Sequence, residues 1–496
     1  MWSAPFLMFL VIFPSGRVLE AWHIALAGLH FALAAFASAH TVLYKRDSRA
    51  AIAWVGFIWL VPFGGAILYF LFGVNRIRRK AVLLRGGLER YRAHESGPQC
   101  PPNELHLHLP GHTGHLNTLA RLVGEVVERP LVPGNKIEPL LNGDAAYPAM
   151  LEAIRNAKHT LSLETYIFDR DDAGLTFAKE LGAAVRRGVQ VRVLIDAAGT
   201  RYSWPSIMHK LHREKVKCAL FHPSFGWLRV MSINLRTHRK ILVADGRLGF
   251  TGGLNLRAGH WLEHHPRSPV QDLHFSLRGP VVAHLQEAFA DDWLFATGEE
   301  LRGEQWFPAP ETAGPMVARG ITDGPDADFE KLRWAILGAL SIAQYSIRIV
   351  TPYFLPDTAL ISALNLASMR GVRVEIILPE YTNLPFVQWA SRALWWQVLK
   401  HGCRLWLTPP PFDHTKLMLV DGCWVLLGSA NWDARSLRLN FEYNVECYNT
   451  DLARQLEVII QRKRDAAREV TLEVMDARSL PVRLRDGVAR LAMPYL

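Results

Sequence analysis

The sequence predicts an α/β protein of two pseudo-repeat lobes that share one active site, behind an N-terminal hairpin of two apolar helices. Three observations predict it. A side-chain pattern occurs twice with the same internal spacing, strand and helix signals repeat around it, and two long apolar stretches precede residue 80.

The apolar stretches come first in the chain. Trp22 to Tyr44 is continuous over 23 residues, and Ala51 to Gly73 is a second run of that length. At 1.5 Å per residue each reaches across a hydrocarbon core of about 30 Å. Tyr and Trp stand near their ends, as interfacial anchors do. The run Pro5 to Phe13 is too short to span, and no charged n-region or clear cleavage site marks a signal peptide. Pro62-Phe-Gly64-Gly65 inside the second stretch allows it to break and re-enter instead of crossing. Arg76, Arg78, Arg79 and Lys80 favour a cytoplasmic catalytic part by the positive-inside rule, whereas Lys45, Arg46 and Arg49 pull the short loop to the same side. The expected placement is the cell (inner) membrane, multi-pass, with the catalytic part cytoplasmic.

Composition divides the rest. The expected order is an anchor over 1–80, a linker over 81–135, a first lobe over 136–300, a connector over 301–317 and a second lobe over 318–496 with a helical tail. Pro98, Pro101, Pro102 and Pro110 mark the linker, whose His106, His108, His112 and His115 read as solvated residues. Ala157–Phe168 and Ala343–Phe354 are parallel apolar runs. Arg187-Gly188 and Arg370-Gly371 each end a helix and open a buried strand, to Asp196 and Pro379. Strands alternating with helices give the α/β class.

The repeated pattern carries the chemistry. It reads His238-x-Lys240, Asp245 and Gly252-x-x-Asn255, then His414-x-Lys416, Asp421 and Gly428-x-x-Asn431, 176 residues further on. Two such copies arise by chance well under about one time in a hundred. His and Lys two apart project from one face of a strand, which sets an imidazole beside an ammonium. Asp245 and Asp421 fall on the opposite face, each starting a turn with the following Gly, and read as struts. Two histidines and two lysines in one pocket suit phosphodiester chemistry without a metal. Lysine beside each histidine argues against zinc, and no Cys or His completes a ligand set at zinc-like spacing.

These motifs resemble the paired signatures of the phospholipase D superfamily. Ala53-Trp54, Pro62-Phe-Gly64 and Leu68-Tyr69-Phe-Leu-Phe-Gly73 narrow the resemblance to bacterial cardiolipin synthases. The resemblance implies two phospholipase D-like lobes and no cofactor. One imidazole, His238 by family habit, attacks phosphorus to form a phosphohistidine while His414 serves as acid and base. Lys240, Lys416, Asn255 and Asn431 then hold the non-bridging oxygens. Glu442 fits the family position for a carboxylate that orients a histidine, and Asp272 is its first-half counterpart. Ser429 has Gly253 opposite it in the first motif, so the role of a hydroxyl there stays open.

The implied reaction joins two phosphatidylglycerol molecules into cardiolipin and glycerol. Phosphatidylglycerol and other anionic phospholipids are the expected partners, with no nucleic acid. Lys plus Arg is 56 against 46 acidic residues, a formal charge of +10 that suits an anionic surface. The alternatives are a membrane-bound phospholipase D that uses water as acceptor, a nuclease, and an inactive lipid-binding scaffold. Five scattered cysteines fit reduced thiols. Phe225-Gly-Trp227-Leu, Trp389 and Trp395-Trp396 are candidates for core packing or for dipping into the lipid interface. The basic tail from Arg462, broken at Pro481, carries no assigned chemistry, and the sequence leaves the oligomeric state open.

Overall fold

The computed structural model describes residues 16–45, 48–73, 97–109, 111, 113–221 and 236–493. The chain divides into two compact units, Met1–Arg79 and Lys80–Leu496.

In the first unit a helix runs over Gly16–Tyr44. Its Trp22–Tyr44 portion is the one helix among the described residues that is long and apolar enough to cross a bilayer. The second expected span is not one helix. It runs over Ser48–Leu60, breaks, and resumes as Gly64–Leu68 and a π-helical turn, Tyr69–Gly73. Pro62 has no N–H to continue the ladder, and its ring displaces the preceding turn. Phe63 follows in the left-handed region at φ 57°. At Gly65 a Cβ would meet the Phe57 carbonyl oxygen at 2.5 Å, so only glycine lets the chain fold back this closely. Thirteen residues in Ser48–Leu60 reach only about 20 Å at 1.5 Å each. The returning piece is pinned where the Tyr69 hydroxyl meets His40 Nδ1 at 2.8 Å. Arg46, Arg76, Arg78, Arg79, Lys80 and Pro5–Phe13 lie outside the described residues, as does Phe225–Leu228.

Among the described residues the second unit is built on a sixteen-stranded mixed sheet that runs through both lobes. The lobes join where Val132–Leu141 pairs antiparallel with Met316–Asp323 on one side and with Leu273–Arg278 on the other. Within the first lobe, Thr160–Thr165, Gln190–Asp196 and Lys217–Phe221 are parallel, as the helix-to-strand signals predict. Ser346–Val350, Arg373–Pro379 and Arg404–Thr408 repeat them in the second. Each motif supplies an antiparallel pair, Ile241–Ala244 with Leu248–Gly252 and Leu417–Val420 with Trp424–Gly428.

The expected linker departs from its composition. Residues His115–Val127 are a helix whose Leu116, Leu119, Ala120, Val123 and Val127 are buried in the second lobe's core. The helical spacing of those residues outweighs the proline-rich flank before them. His115 is no solvated linker residue, since its Nε2 meets Asp421 Oδ2 at 2.9 Å. Trp395 is core and Trp389 packs against it, while Trp396 is exposed.

Leu119 is fully buried in that helix. Leu119→Ala should therefore cost about 2–5 kcal/mol, read as a lowered unfolding midpoint of the detergent-solubilised chain. A linker helix would show no change.

Candidate active site

The two motifs face each other because each lobe lends a strand to the other. Arg236–Thr237, just ahead of His238, pairs parallel with Asn440–Phe441 of the second lobe. Phe412–Asp413, just ahead of His414, pairs with Val270–Gln271 of the first. The next backbone bonds repeat the relation, His238 N–H to the Phe441 carbonyl and His414 N–H to the Gln271 carbonyl, both at 2.8 Å.

This exchange decides which carboxylate meets which imidazole. His238 Nδ1 lies 3.0 Å from Glu442 Oε2, and His414 Nδ1 lies 2.8 Å from Asp272 Oδ2. Each histidine is oriented by the opposite lobe. Sequence spacing named both carboxylates and could not show the crossing. With Nδ1–H given to the carboxylate, Nε2 carries the lone pair.

Both lysines are buried beside the histidines, and each ammonium donates to the backbone carbonyl of its own motif histidine. Lys240 also lies 5.8 Å from the centre of the Tyr166 ring, which is 5.4 Å centre to centre from the His238 ring and tilted 63° to it. Burial and mutual repulsion push Lys240 down to about 7, and burial pushes Lys416 down to about 8. Burial would raise Glu442, but His238, Lys240 and the Ser429 hydroxyl hold it at about 2. Burial raises Asp272 despite Lys416. Burial lowers both histidines, and the two lysines drive His414 well below the usual range.

Asp245 and Asp421 stand apart from the reacting groups. Asp245 accepts from the backbone N–H groups of Lys158, His159 and Thr160 at 2.7–2.9 Å. Asp421 does the same for Gln344, Tyr345 and Ser346. Each turns through positive φ, 51° and 52°, into its glycine. They clamp the motif hairpin to the neighbouring strand.

Gly252 and Gly428 open the way to the asparagines. Their φ values of 147° and 151° bring the chain so close to the next strand that a Cβ would lie 2.7 Å from the Leu273 carbonyl oxygen and 2.5 Å from that of Tyr443. Asn255 Oδ1 accepts from the Ile167 N–H at 3.2 Å, which leaves its amide hydrogens for the cavity. Asn431 also lines the cavity, and its Oδ1 is buried without a partner.

The difference between Gly253 and Ser429 has a steric cause. Ser429 Oγ donates to Glu442 Oε2 at 2.5 Å and accepts from the Tyr443 N–H at 3.0 Å. At Gly253 a Cβ would lie 2.1 Å from Asp272 Oδ1. The shorter carboxylate occupies the space that the serine fills in the other half.

Sequence reasoning missed several neighbours. Arg239, between the motif residues, is buried and pairs with Asp292 at 2.5 Å while donating to the Glu442 carbonyl. Its counterpart is Thr415, so the repeat carried no signal for it. His260 lies 6.4 Å from His414, ring to ring, and burial pushes it down to about 3. Tyr147 bonds the Asn255 and Arg257 carbonyls and fixes the loop that carries Asn255. The cavity in front of the histidines is about 420 Å³.

Two lobes on one sheet, with paired His-x-Lys motifs closing a shared cavity, define a phospholipase D-like protein. Residues 150–293 and 336–464 match the family described as cardiolipin synthase, PLD-like domain, and residues 32–73 match that described as phospholipase D-nuclease N-terminal. Cardiolipin synthase A of Pseudomonas putida is 31% identical over 471 residues, 95% of this chain and 97% of that one. Cardiolipin synthase 1 of Bacillus cereus is 29% identical over 490 residues, 96% and 93% of the two chains. The crystal structure of phosphatidylserine synthase from Haemophilus influenzae superimposes with a TM-score of 0.59 at 16% identity, over 76% of this chain and all of that one. It shares the fold. The chain belongs to the cardiolipin synthase family, phosphatidyltransferases of the phospholipase D type. Family and apolar helix together mark it as membrane-associated.

Glu442 sits far below its ordinary 4.5, at about 2. Its stabilisation is therefore complete above about pH 4.5 and lost as pH falls toward 2. Glu442→Gln should flatten the acid limb of stability against pH, measured by denaturant midpoints at pH 3 and 5. An unchanged slope would place the titration elsewhere.

Proposed function

We propose that the chain makes cardiolipin by moving a phosphatidyl group from one phosphatidylglycerol to another through a phosphohistidine. The observation that carries this reading is the pair of crossed His–carboxylate contacts beside two buried lysines. His238, following the habit of the superfamily, attacks phosphorus through Nε2. The bond from phosphorus to the glycerol oxygen breaks, and His414 gives that oxygen its proton. A hydroxyl of the second phosphatidylglycerol then passes its proton to His414 and attacks phosphorus, and the phosphorus–nitrogen bond breaks.

The electrostatics support these roles. Burial, with the charges of Lys416 and Lys240, disfavours a second proton on His414. A bound phosphodiester places negative charge between the lysines, restores their charge and raises His414 enough for it to serve as the acid. Asn255 and Asn431 add amide donors where charge grows on the non-bridging oxygens. The phosphohistidine conserves the energy of the ester, so no nucleotide is called for.

The test is product analysis by thin-layer chromatography and mass spectrometry, with phosphatidylglycerol in mixed micelles containing chelator. Wild type should yield cardiolipin and free glycerol, and His238→Ala and His414→Ala should each fall at least about 100-fold. Phosphatidic acid without cardiolipin would make water the acceptor and replace this reading by a hydrolase. The value of kcat/KM, which reports the substrate-free protein, should decline as pH rises through about 7 to 8, where Lys240 and Lys416 lose their protons. A rate–pH profile that stays flat to pH 9.5 would remove the lysine cations from the mechanism.

A further inference from the structure

The basic tail reaches the site at Lys463, whose ammonium bonds Asp413 beside His414 at 2.6 Å, and its last helix, Leu480–Leu491, has an unusual outer face. One side holds it to the second lobe. Buried Asp486 pairs with Arg478 at 2.8 Å and with Arg485 at 2.7 Å. The Arg485 guanidinium lies 4.6 Å over the Trp389 ring, and Ala489 is buried beneath. The opposite side carries Leu480, Leu484, Val488 and Leu491, exposed by 67, 59, 63 and 74%. At about 100° per residue these four fall within an arc of about 80°. Single exposed apolar residues are ordinary, whereas a contiguous stripe marks a surface that something covers.

Two further observations say what covers it. Arg483 and Arg490 are exposed along one edge of the stripe. An apolar stripe edged by guanidinium groups suits the boundary between acyl chains and anionic headgroups. A second copy of the chain seated on this face would bring those arginines together. The helix that carries the stripe also packs on an element that lines the cavity. Trp389, under Arg485, belongs to the helix Pro385–Arg392, and Leu384 and Val387 at the start of that helix line the cavity. Leu384 and Phe386 are themselves exposed. From the first lobe, exposed Tyr202 lines the same cavity, and nearby Trp204 is 92% exposed.

We propose that the outward stripe of the C-terminal helix, with the apolar and aromatic rim of the cleft, docks on the surface of an anionic phospholipid bilayer. Lipid then enters the cavity from the leaflet without passing through water. The inference rests on the lipid-substrate reading above, and its test separates the two.

The full chain is assayed on phosphatidylglycerol presented two ways, in bilayer vesicles and as a short-chain form dissolved as monomers. The double variant Leu484→Glu/Val488→Glu should lose about tenfold or more of its turnover on vesicles and keep the wild-type rate on monomers. An equal rate on vesicles, or an equal loss on both, overturns the docking surface. Hydrogen exchange on the wild-type chain gives a second readout independent of activity. Amides of 480–491 should exchange about tenfold more slowly in vesicles of phosphatidylcholine mixed with phosphatidylglycerol than in phosphatidylcholine alone. Exchange that is the same in both, or that slows only as protein concentration rises, overturns it. Wild type that makes no cardiolipin from either form sinks the enzymatic reading instead, and hydrogen exchange still decides the surface.

Discussion

The structure depends on two short backbone pairings that exchange chain between the lobes. Arg236–Thr237 lies along Asn440–Phe441, and Phe412–Asp413 lies along Val270–Gln271. They set the register of each histidine against a carboxylate it could never reach within its own lobe. The continuous sheet holds the lobes at that spacing through the pairing of Val132–Leu141 with Met316–Asp323. Small errors of register here would turn the histidines away from their partners, because a shift of one residue reverses every side chain on a strand.

The second constraint is charge. Two ammonium groups are buried close enough to repel each other, and the same small volume holds the Glu442 and Asp272 carboxylates. Neither pair is stable there without the other, since an uncompensated buried charge is costly. Burial and the neighbouring lysines lower both histidines, which disfavours the doubly protonated imidazolium.

Much of this was legible in the residues because it is local. The doubled His-x-Lys spacing, the turn after each Asp and the glycine before each Asn are set by strand period and backbone conformation. The Asp245 and Asp421 struts followed from counting positions along a strand. The crossing of the carboxylates was not legible, since either pairing leaves the same spacing in the chain. Gly253 opposite Ser429 was visible as a difference, but its cause is volume around Asp272, which only packing reveals. Hydropathy suggested a second full span where Pro62 and the close approach at Gly65 break it. A proline-rich flank hid the apolar spacing of His115–Val127.

The crossed contacts also bear on ancestry. A single lobe contains a histidine without its carboxylate and a carboxylate without its histidine, so it is not half of an enzyme. A one-lobe ancestor would have worked only by joining a second copy of itself, with both halves of the site identical. Placing the two copies in one chain released them from that identity. The halves were then free to drift apart as matched sets, Glu442 with Ser429 on one side and Asp272 with Gly253 on the other. A serine placed at 253 would collide with Asp272, so the two halves are not interchangeable residue by residue.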